Sequence, residues 1–232
     1  EQGLHVQGDP TAGEALGELS KFMEAYLFGR LPGWFYRCWG ALELVALVKG
    51  EPAHGETPQV RPIGMGDSLR KVFHFHAFDA NKQAMQAHLE PFNVVLAEDG
   101  AAKLVHGVRM TQELHPHFVI MELDVKNAFQ CLSRSVLLDR IGDVPALAHM
   151  KHFLHKVLLP ECPLVLDGEV WDSACSSEGV VQGDPLSAAL FAIGFLPELK
   201  WLDSELLRYG GNCRAGADDC FPVGPAVPTL EA

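Results

Sequence analysis

Apolar residues follow two different spacings along this chain. Spacings of three and four residues predict helices, and short apolar runs bounded by Gly, Pro or Asp predict strands. Helices are predicted over 11–30, 67–89, 101–114, 133–141, 146–159 and 184–207. Strands are predicted over 42–48, 60–65, 94–97 and 118–125, with hairpins over 164–171 and 212–223. Because helices and strands mix without regular alternation, the pattern favours the α+β class.

Capping residues locate two of these helix starts. Asp67 or Ser68 offers an N-cap for the second helix, and Asp184 does so for the last one. Pro185 is then predicted at the first helical position, where its missing N–H costs nothing.

Composition narrows the class of protein. The chain has 232 residues, of which 48% are hydrophobic, which suits one well-filled unit or two intimate subdomains. No apolar run approaches the roughly 20 residues that span a bilayer, so no membrane partner is expected. The first residue is Glu1 and no signal peptide is recognisable, so we expect a piece of a longer protein. Six cysteines form no CxxC pair, which favours reduced thiols in an intracellular protein.

Candidate chemistry lies in three short stretches. The first, 123–129, places Asp124 at the end of an apolar strand; the second, 179–187, is a polar turn before a helix; the third is 217–219. Carboxylates on strand ends that meet in space are the ligands a two-Mg²⁺ phosphoryl-transfer site needs. Each stretch alone also has an ordinary interpretation: a capping Asp, a capped turn and a solvated acidic turn.

Two basic residues lie upstream. Lys49 precedes a loop rich in Gly and Pro, and Arg61 follows it in the run Arg61-Pro62-Ile63. Arg clamps phosphate oxygens in pairs and Lys acts as a point charge, although isolated residues of this kind are more often solvated surface.

In this order, the stretches resemble the motifs of reverse transcriptases. Asp124 followed five positions later by an aromatic resembles the first palm motif, Gln182-Gly183-Asp184-Pro185 the second, and Ala217-Asp218-Asp219 the third. Lys49 and Arg61-Pro62-Ile63 resemble the fingers pattern. The spacing of the first two palm motifs resembles that of non-LTR retrotransposon enzymes, with intron-encoded and retron enzymes as alternatives.

The resemblance implies an α+β fold with fingers and palm subdomains, the thumb being absent from this fragment. It implies an N-terminal helical segment (1–40), fingers (41–115) and a palm (116–232) with an insertion at 133–175. The implied catalytic and metal-binding residues are Asp124, Asp218 and Asp219, with Mg²⁺ as the cofactor and Mn²⁺ as a substitute. The implied nucleotide-binding residues are Lys49, Arg61, Phe129, Gln182 and Gly183. Phe129 would be the steric gate against a ribose 2′-hydroxyl.

The same resemblance implies the partners. These are an RNA template, a DNA primer and deoxynucleoside triphosphates, together with other domains of a longer polyprotein. The expected location is intracellular, and nuclear if the source is a eukaryotic retroelement. The isolated fragment is expected to be inactive or nearly so.

Three features depart from the motif pattern or from nucleic-acid binding. Gly216 stands where the third motif has an aromatic, Pro222 follows the acidic pair, and the formal net charge is -12. Two alternatives therefore stay open: a catalytically decayed domain that only binds RNA, and an unrelated Mg²⁺-dependent phosphohydrolase. The histidines, including His74, are expected at the surface or half-buried, because no cluster has metal-ligand spacing.

Overall fold

The structure is a computed structural model that describes residues 10–48, 50, 60–226 and 229. Its helices are α1 (Pro10–Leu27), α2 (Gly33–Trp39), α3 (Ser68–Leu89), α4 (Gly100–Leu114), α5 (Ala128–Cys131), α6 (Arg134–Gly142), α7 (Lys151–Leu158) and α8 (Ser187–Leu207). Its strands are β1 (Leu42–Val48), β2 (Val60–Met65), β3 (Phe118–Ile120), β4 (Cys162–Leu166), β5 (Glu169–Ser176), β6 (Asn212–Gly216) and β7 (Asp219–Pro225). A single 3₁₀ turn (Ala148–Met150) leads into α7.

The strands form two sheets. The first has the order β2-β1-β4-β5, in which β1 pairs antiparallel with β2 and parallel with β4. The second is antiparallel throughout and has the order β3-β7-β6. Hairpins therefore supply three of the pairings, and the parallel pairing of β1 with β4 joins segments about 120 residues apart in the sequence.

Helix α8 connects the two apolar clusters of the fold. Its first half, including the buried Leu190 and Ile193, packs in the main cluster with residues of α1, α3, α6 and α7. Its second half, with Leu199 and Leu206, packs against Cys213 and neighbouring residues of β6 and β7. The helix thus carries apolar side chains on nearly all sides, which is typical of a central buried helix.

Most predicted elements are confirmed, and Asp67 caps α3 by accepting the Arg70 N–H at 3.0 Å. The start of the last helix was predicted wrongly, because α8 begins at Ser187 and not at Pro185. Asp184 instead makes a turn: one carboxylate oxygen accepts the Leu186 N–H, and the other is held by a distant histidine.

Three further differences concern short elements. The helix α2 was not predicted, and it begins directly after Pro32. The segment 94–97 is not a strand; its pairing with the second sheet is a bridge at Asn93. Strand β3 ends at Ile120, although its pairing with β7 continues at Leu123. In the described part of the chain, no helix has the length and apolar character that crossing a membrane requires.

Candidate active site

The acidic pair lies at a tight hairpin between β6 and β7. Gly216 pairs with Asp219, so Ala217 and Asp218 form a two-residue turn. Ala217 has a φ of 60°, a left-handed conformation that such hairpin turns require of at least one central residue. Burial, together with the charges of Asp218 and Asp219, raises the pKa of the neighbouring Cys220 thiol to about 11. The turn is therefore a local concentration of negative charge.

The register of the second sheet brings Asp124 to the same place. The β3–β7 pairing runs from Phe118 opposite Pro225, and Leu123 and Cys220 exchange both backbone hydrogen bonds at 2.9 and 3.1 Å. Extending this register by one more step would place Asp124 opposite Asp219. Directly opposed residues of antiparallel strands have Cβ atoms about 4.5–5.5 Å apart, so the backbone register favours a close approach of these carboxylates.

The described residues do not form a complete metal-binding site by themselves. Among residues 10–48, 50, 60–226 and 229, no group of three or more His, Cys, Asp or Glu side chains is placed to hold one metal ion. Mg²⁺ in phosphoryl-transfer sites commonly uses one or two protein carboxylates, with substrate phosphates and water as the other ligands. Two opposed carboxylates beside the acidic turn would fit that donor set, and the metal-binding roles of Asp124, Asp218 and Asp219 stay predictions.

A buried asparagine holds the acidic turn in place. The Asn93 amide donates to the Ala217 carbonyl at 2.9 Å, while its oxygen accepts the N–H groups of Ala217 at 3.2 Å and Val95 at 3.1 Å. Asn93 is only 1% exposed, and its backbone forms a parallel bridge with Ala215. The sequence did not predict the role of Asn93, because its hydrogen-bond partner lies 124 residues away and no local pattern indicates the contact.

The glycine before the turn has a specific neighbour. An ideal Cβ placed on Gly216 would lie 3.4 Å from the Leu104 side chain of α4. A leucine therefore occupies space next to the position where an aromatic residue was expected. Pro222 lies in the central strand β7, and its carbonyl accepts the Met121 N–H at 3.0 Å, so the sheet continues through it.

Backbone hydrogen bonds join the segment after Asp124 to the loop before α8. Val180 donates to the Phe129 carbonyl at 2.7 Å, and Gly179 donates to the Leu132 carbonyl at 3.0 Å. Gly179 has a φ of 69°, and a Cβ there would collide with the Phe129 carbonyl, so only glycine fits. The Phe129 ring stacks on Phe191 of α8, with 5.0 Å between the ring centroids. The two segments predicted to bind the nucleotide are therefore in direct contact.

The buried Arg134 side chain holds the start of the loop that leads to α8. The Arg134 guanidinium donates to the carbonyls of Leu158, Ser176, Glu178 and Gly179 at 2.7 to 3.0 Å. Arg134 is 7% exposed, and burial lowers its pKa. Because four carbonyls from two segments converge on one side chain, the stretch 176–179 has little freedom to move.

Asp184 belongs to a buried relay of hydrogen bonds. His74 bonds the Asp184 carboxylate through Nδ1 at 2.6 Å and Tyr26 Oη through Nε2 at 2.9 Å. An ionised carboxylate only accepts, so in the neutral ring Nδ1 carries the proton and the Tyr26 hydroxyl donates to Nε2. Burial alone would raise the pKa of Asp184, but the hydrogen bond and charge of His74, with the Leu186 N–H and Arg70, lower it.

The expected surface position of the histidines is wrong for His74, which is 3% exposed. A His and an Asp 110 positions apart in the sequence carry no signal of their contact. The relay ties the loop before α8 to α3 and, through Tyr26, to α1.

Gln182 and Gly183 lie in the turn that follows. Gly183 has a φ of 86°, which favours glycine. Gln182 is half-buried and lines a cavity of about 410 Å³ between this turn and the four-stranded sheet. Lys49 lies outside the described residues. Of Arg61 only the backbone is described, paired with Leu47 in the β1–β2 ribbon.

Comparisons with known proteins show a likeness of fold only. No protein-family model matches the chain, and no curated protein sequence matches it. Among 191 matching chains of known structure is apo telomerase from Candida tropicalis truncated from the C-terminal domain. It matches with a TM-score of 0.56 at 12% sequence identity, over 83% of this chain and 45% of the telomerase chain. The chain thus spans less than half of that protein, and its mixed α+β fold is distantly like that of a reverse transcriptase.

Proposed function

We propose that this chain is the fingers-and-palm part of an RNA-directed DNA polymerase, which adds deoxynucleotides to a DNA primer on an RNA template. The observation that supports the proposal is the register of the second sheet: Leu123 pairs with Cys220 and Gly216 with Asp219, so that one further step would place Asp124 opposite Asp219 beside the Ala217–Asp218 turn. The likeness of fold to telomerase supports it independently of the motifs. The assignment to a non-LTR retrotransposon rests on motif spacing alone.

The acidic residues would hold the metal. Asp124, Asp218 and Asp219 would bind Mg²⁺, or Mn²⁺ in its place, which when bound lowers the pKa of the primer 3′-hydroxyl and offsets charge on the reacting phosphate. The fixed turn geometry suits this role, because Asn93 holds the turn and β7 carries the neighbouring carboxylate. Preorganised charge of this kind needs no rearrangement when the reaction occurs.

The remaining residues would bind the nucleotide. Lys49 and Arg61 would orient the triphosphate and neutralise the departing pyrophosphate. Phe129, whose ring stacks on Phe191 of the main apolar cluster, would exclude the ribose 2′-hydroxyl. Gln182 and Gly183 would lie against the new base pair, and Gln182 also lines the cavity.

Metal binding by the chain itself tests the proposal. Mn²⁺ titrations followed by electron paramagnetic resonance, with a deoxynucleoside triphosphate present, should show binding that Asp124→Asn and Asp218→Asn each weaken at least tenfold. Asp79→Asn is the matched control, because Asp79 is an exposed carboxylate of α3. Equal Mn²⁺ affinity in all four proteins would refute the assignment of the acidic site.

Primer extension on RNA tests the reaction in a longer protein that includes this chain. Extension should require Mg²⁺ and be abolished by Asp218→Asn, since the amide lacks the charge that the ion needs. Release of inorganic phosphate without extension would identify a phosphohydrolase instead.

A second candidate is a decayed domain of the same fold that only binds RNA. It is favoured by Gly216, whose neighbour Leu104 lies beside the position of the expected aromatic. Retained RNA binding with no extension by a folded protein would support this candidate.

A further inference from the structure

The cavity of about 410 Å³ has an apolar floor and an aromatic rim. The floor is one face of the four-stranded sheet, with Leu42 and Leu44 of β1 and Leu164 of β4. Gly64 of β2 lies opposite Leu44 in the register, so no side chain of β2 covers the floor at that point. Trp171 of β5 completes the lining and is 46% exposed. An indole with nearly half its surface in water can take a planar partner without unfolding anything.

The opposite wall of the cavity is held in place by hydrogen bonds. It consists of the stretch 176–182, whose carbonyls at Ser176, Glu178 and Gly179 accept hydrogen bonds from the buried Arg134. A wall held in this way needs no ordering when a ligand binds, which reduces the entropic cost of binding.

Two amide side chains reach the cavity without a partner. Gln130 of α5 and Gln182 line it, and in the described part of the chain neither side chain makes a hydrogen bond. An amide offers both donors and an acceptor, so each can pair with the edge of a planar heterocycle. The lining has one carboxylate, Glu178, and no described Lys or Arg, which is a poor site for phosphate.

We propose that this cavity binds an unpaired base of a single-stranded nucleic acid, which stacks on Trp171 while Gln130 and Gln182 bond its edge. The inference deepens the proposed function and rests on it, because Gln182 belongs to both sites. Trp171 lies within the 133–175 insertion, so the hairpin of β4 and β5 would contribute to template binding. The phosphate backbone would stay outside the cavity, away from Glu178.

Binding of a short fluorescent single-stranded RNA to this chain tests the proposal. Base–aromatic stacking contributes about 1–3 kcal/mol per base, which predicts that Trp171→Leu weakens binding about 5- to 150-fold. Trp201→Leu is the matched control, since Trp201 is 57% exposed on α8 and does not line the cavity. Trp171→Phe should keep part of the affinity because a smaller ring still stacks. Circular dichroism confirms that each variant is folded.

Tryptophan fluorescence gives a second readout. RNA should quench emission in the wild type and in Trp201→Leu, and the quenched component should be missing from Trp171→Leu. No RNA binding by the wild type, or equal affinity in both leucine variants, would overturn the proposal. Concentration-dependent dimerisation lost in Trp171→Leu would also overturn it and identify a second copy as the occupant.

The two proposals fail separately. Loss of the Trp171 effect with Mn²⁺ binding still dependent on Asp124 would remove only the base site. A Trp171-dependent RNA affinity without any Mn²⁺ site would remove the polymerase proposal and leave an RNA-binding domain.

Discussion

The hydrogen bonds of Asn93 predict a large and specific loss of stability on substitution. Asn93→Leu keeps a side chain of similar shape but removes the partner of three backbone groups: the N–H and C=O of Ala217 and the N–H of Val95. Each buried group left without a partner costs about 1–3 kcal/mol. Because Ala217 and Val95 are only half-buried, water recovers part of this cost. We expect the free energy of unfolding to fall by about 3–5 kcal/mol.

Urea unfolding followed by circular dichroism measures this change, with Asn81→Leu as the control. The Asn81 side chain makes a single bond to the Ala77 carbonyl within α3, and leucine is the better helix former. The control should therefore change stability by less than about 0.5 kcal/mol. Asn93→Asp should be intermediate, because a carboxylate still accepts from both N–H groups but no longer donates to the Ala217 carbonyl.

A loss below about 1 kcal/mol for Asn93→Leu would refute the reasoning, since it would show that the acidic turn keeps its geometry without the clamp. The clamp also predicts a functional effect under conditions where the variant is still folded. Mn²⁺ affinity should fall in Asn93→Leu and stay unchanged in Asn81→Leu, because only the first loosens the turn that carries Asp218.

Three further predictions concern other parts of the site. Asp184→Asn should lower the free energy of unfolding by about 1.5–3 kcal/mol at pH 7, with Asp67→Asn as a nearly neutral control. Because the pKa of Asp184 is lowered in the folded state, the carboxylate contributes its full stabilisation above about pH 3.9, and this stabilisation is lost as the pH falls through the folded-state pKa. Urea unfolding in which Asp184→Asn costs the same free energy at pH 7 and well below the folded-state pKa would contradict this. Gly216→Tyr should destabilise the chain by about 1–3 kcal/mol in urea unfolding, and Leu104→Ala should recover most of the loss; no recovery would show that Leu104 does not fill the space. Phe129→Ala in a longer active protein should raise ribonucleotide incorporation relative to deoxynucleotide incorporation, and an unchanged ratio would leave Phe129 as a core aromatic only.

Local patterns account for the elements that the sequence predicted correctly. The turn at Asp167–Gly168 and the cap at Asp67 act over two to four residues, and the structure confirms both. The apolar run after Phe118 likewise predicted a strand, which the structure confirms only over Phe118–Ile120; the predicted burial holds for Phe118 but not for Ile120 or Leu123, which are exposed. Patterns of this kind are enough to predict turns and caps, because the hydrogen bonds and backbone angles that form these features involve only neighbouring residues.

Long-range contacts account for what the sequence could not predict. Asp184, which lies in the turn before α8, is held by His74, and the acidic turn is held by Asn93. The parallel pairing of β1 with β4 also joins distant segments. A single sequence shows residue types and spacing, but it does not show which of eleven histidines lies against a given aspartate.

Helix α8 has a consequence for recombination between related genes. Its first turn receives the loop that carries Gln182, and near its last turn Asp203 accepts the Cys213 N–H at 2.8 Å and so fixes the start of the acidic hairpin. The loop before α8 and the acidic hairpin therefore both pack against the same helix, so we expect that a change of one requires a compatible α8 for the other. A chimaera whose crossover falls inside 187–207 would join mismatched halves of both apolar clusters, whereas a crossover at the exposed turn 167–168 would exchange α8, its loop and its hairpin as one intact block.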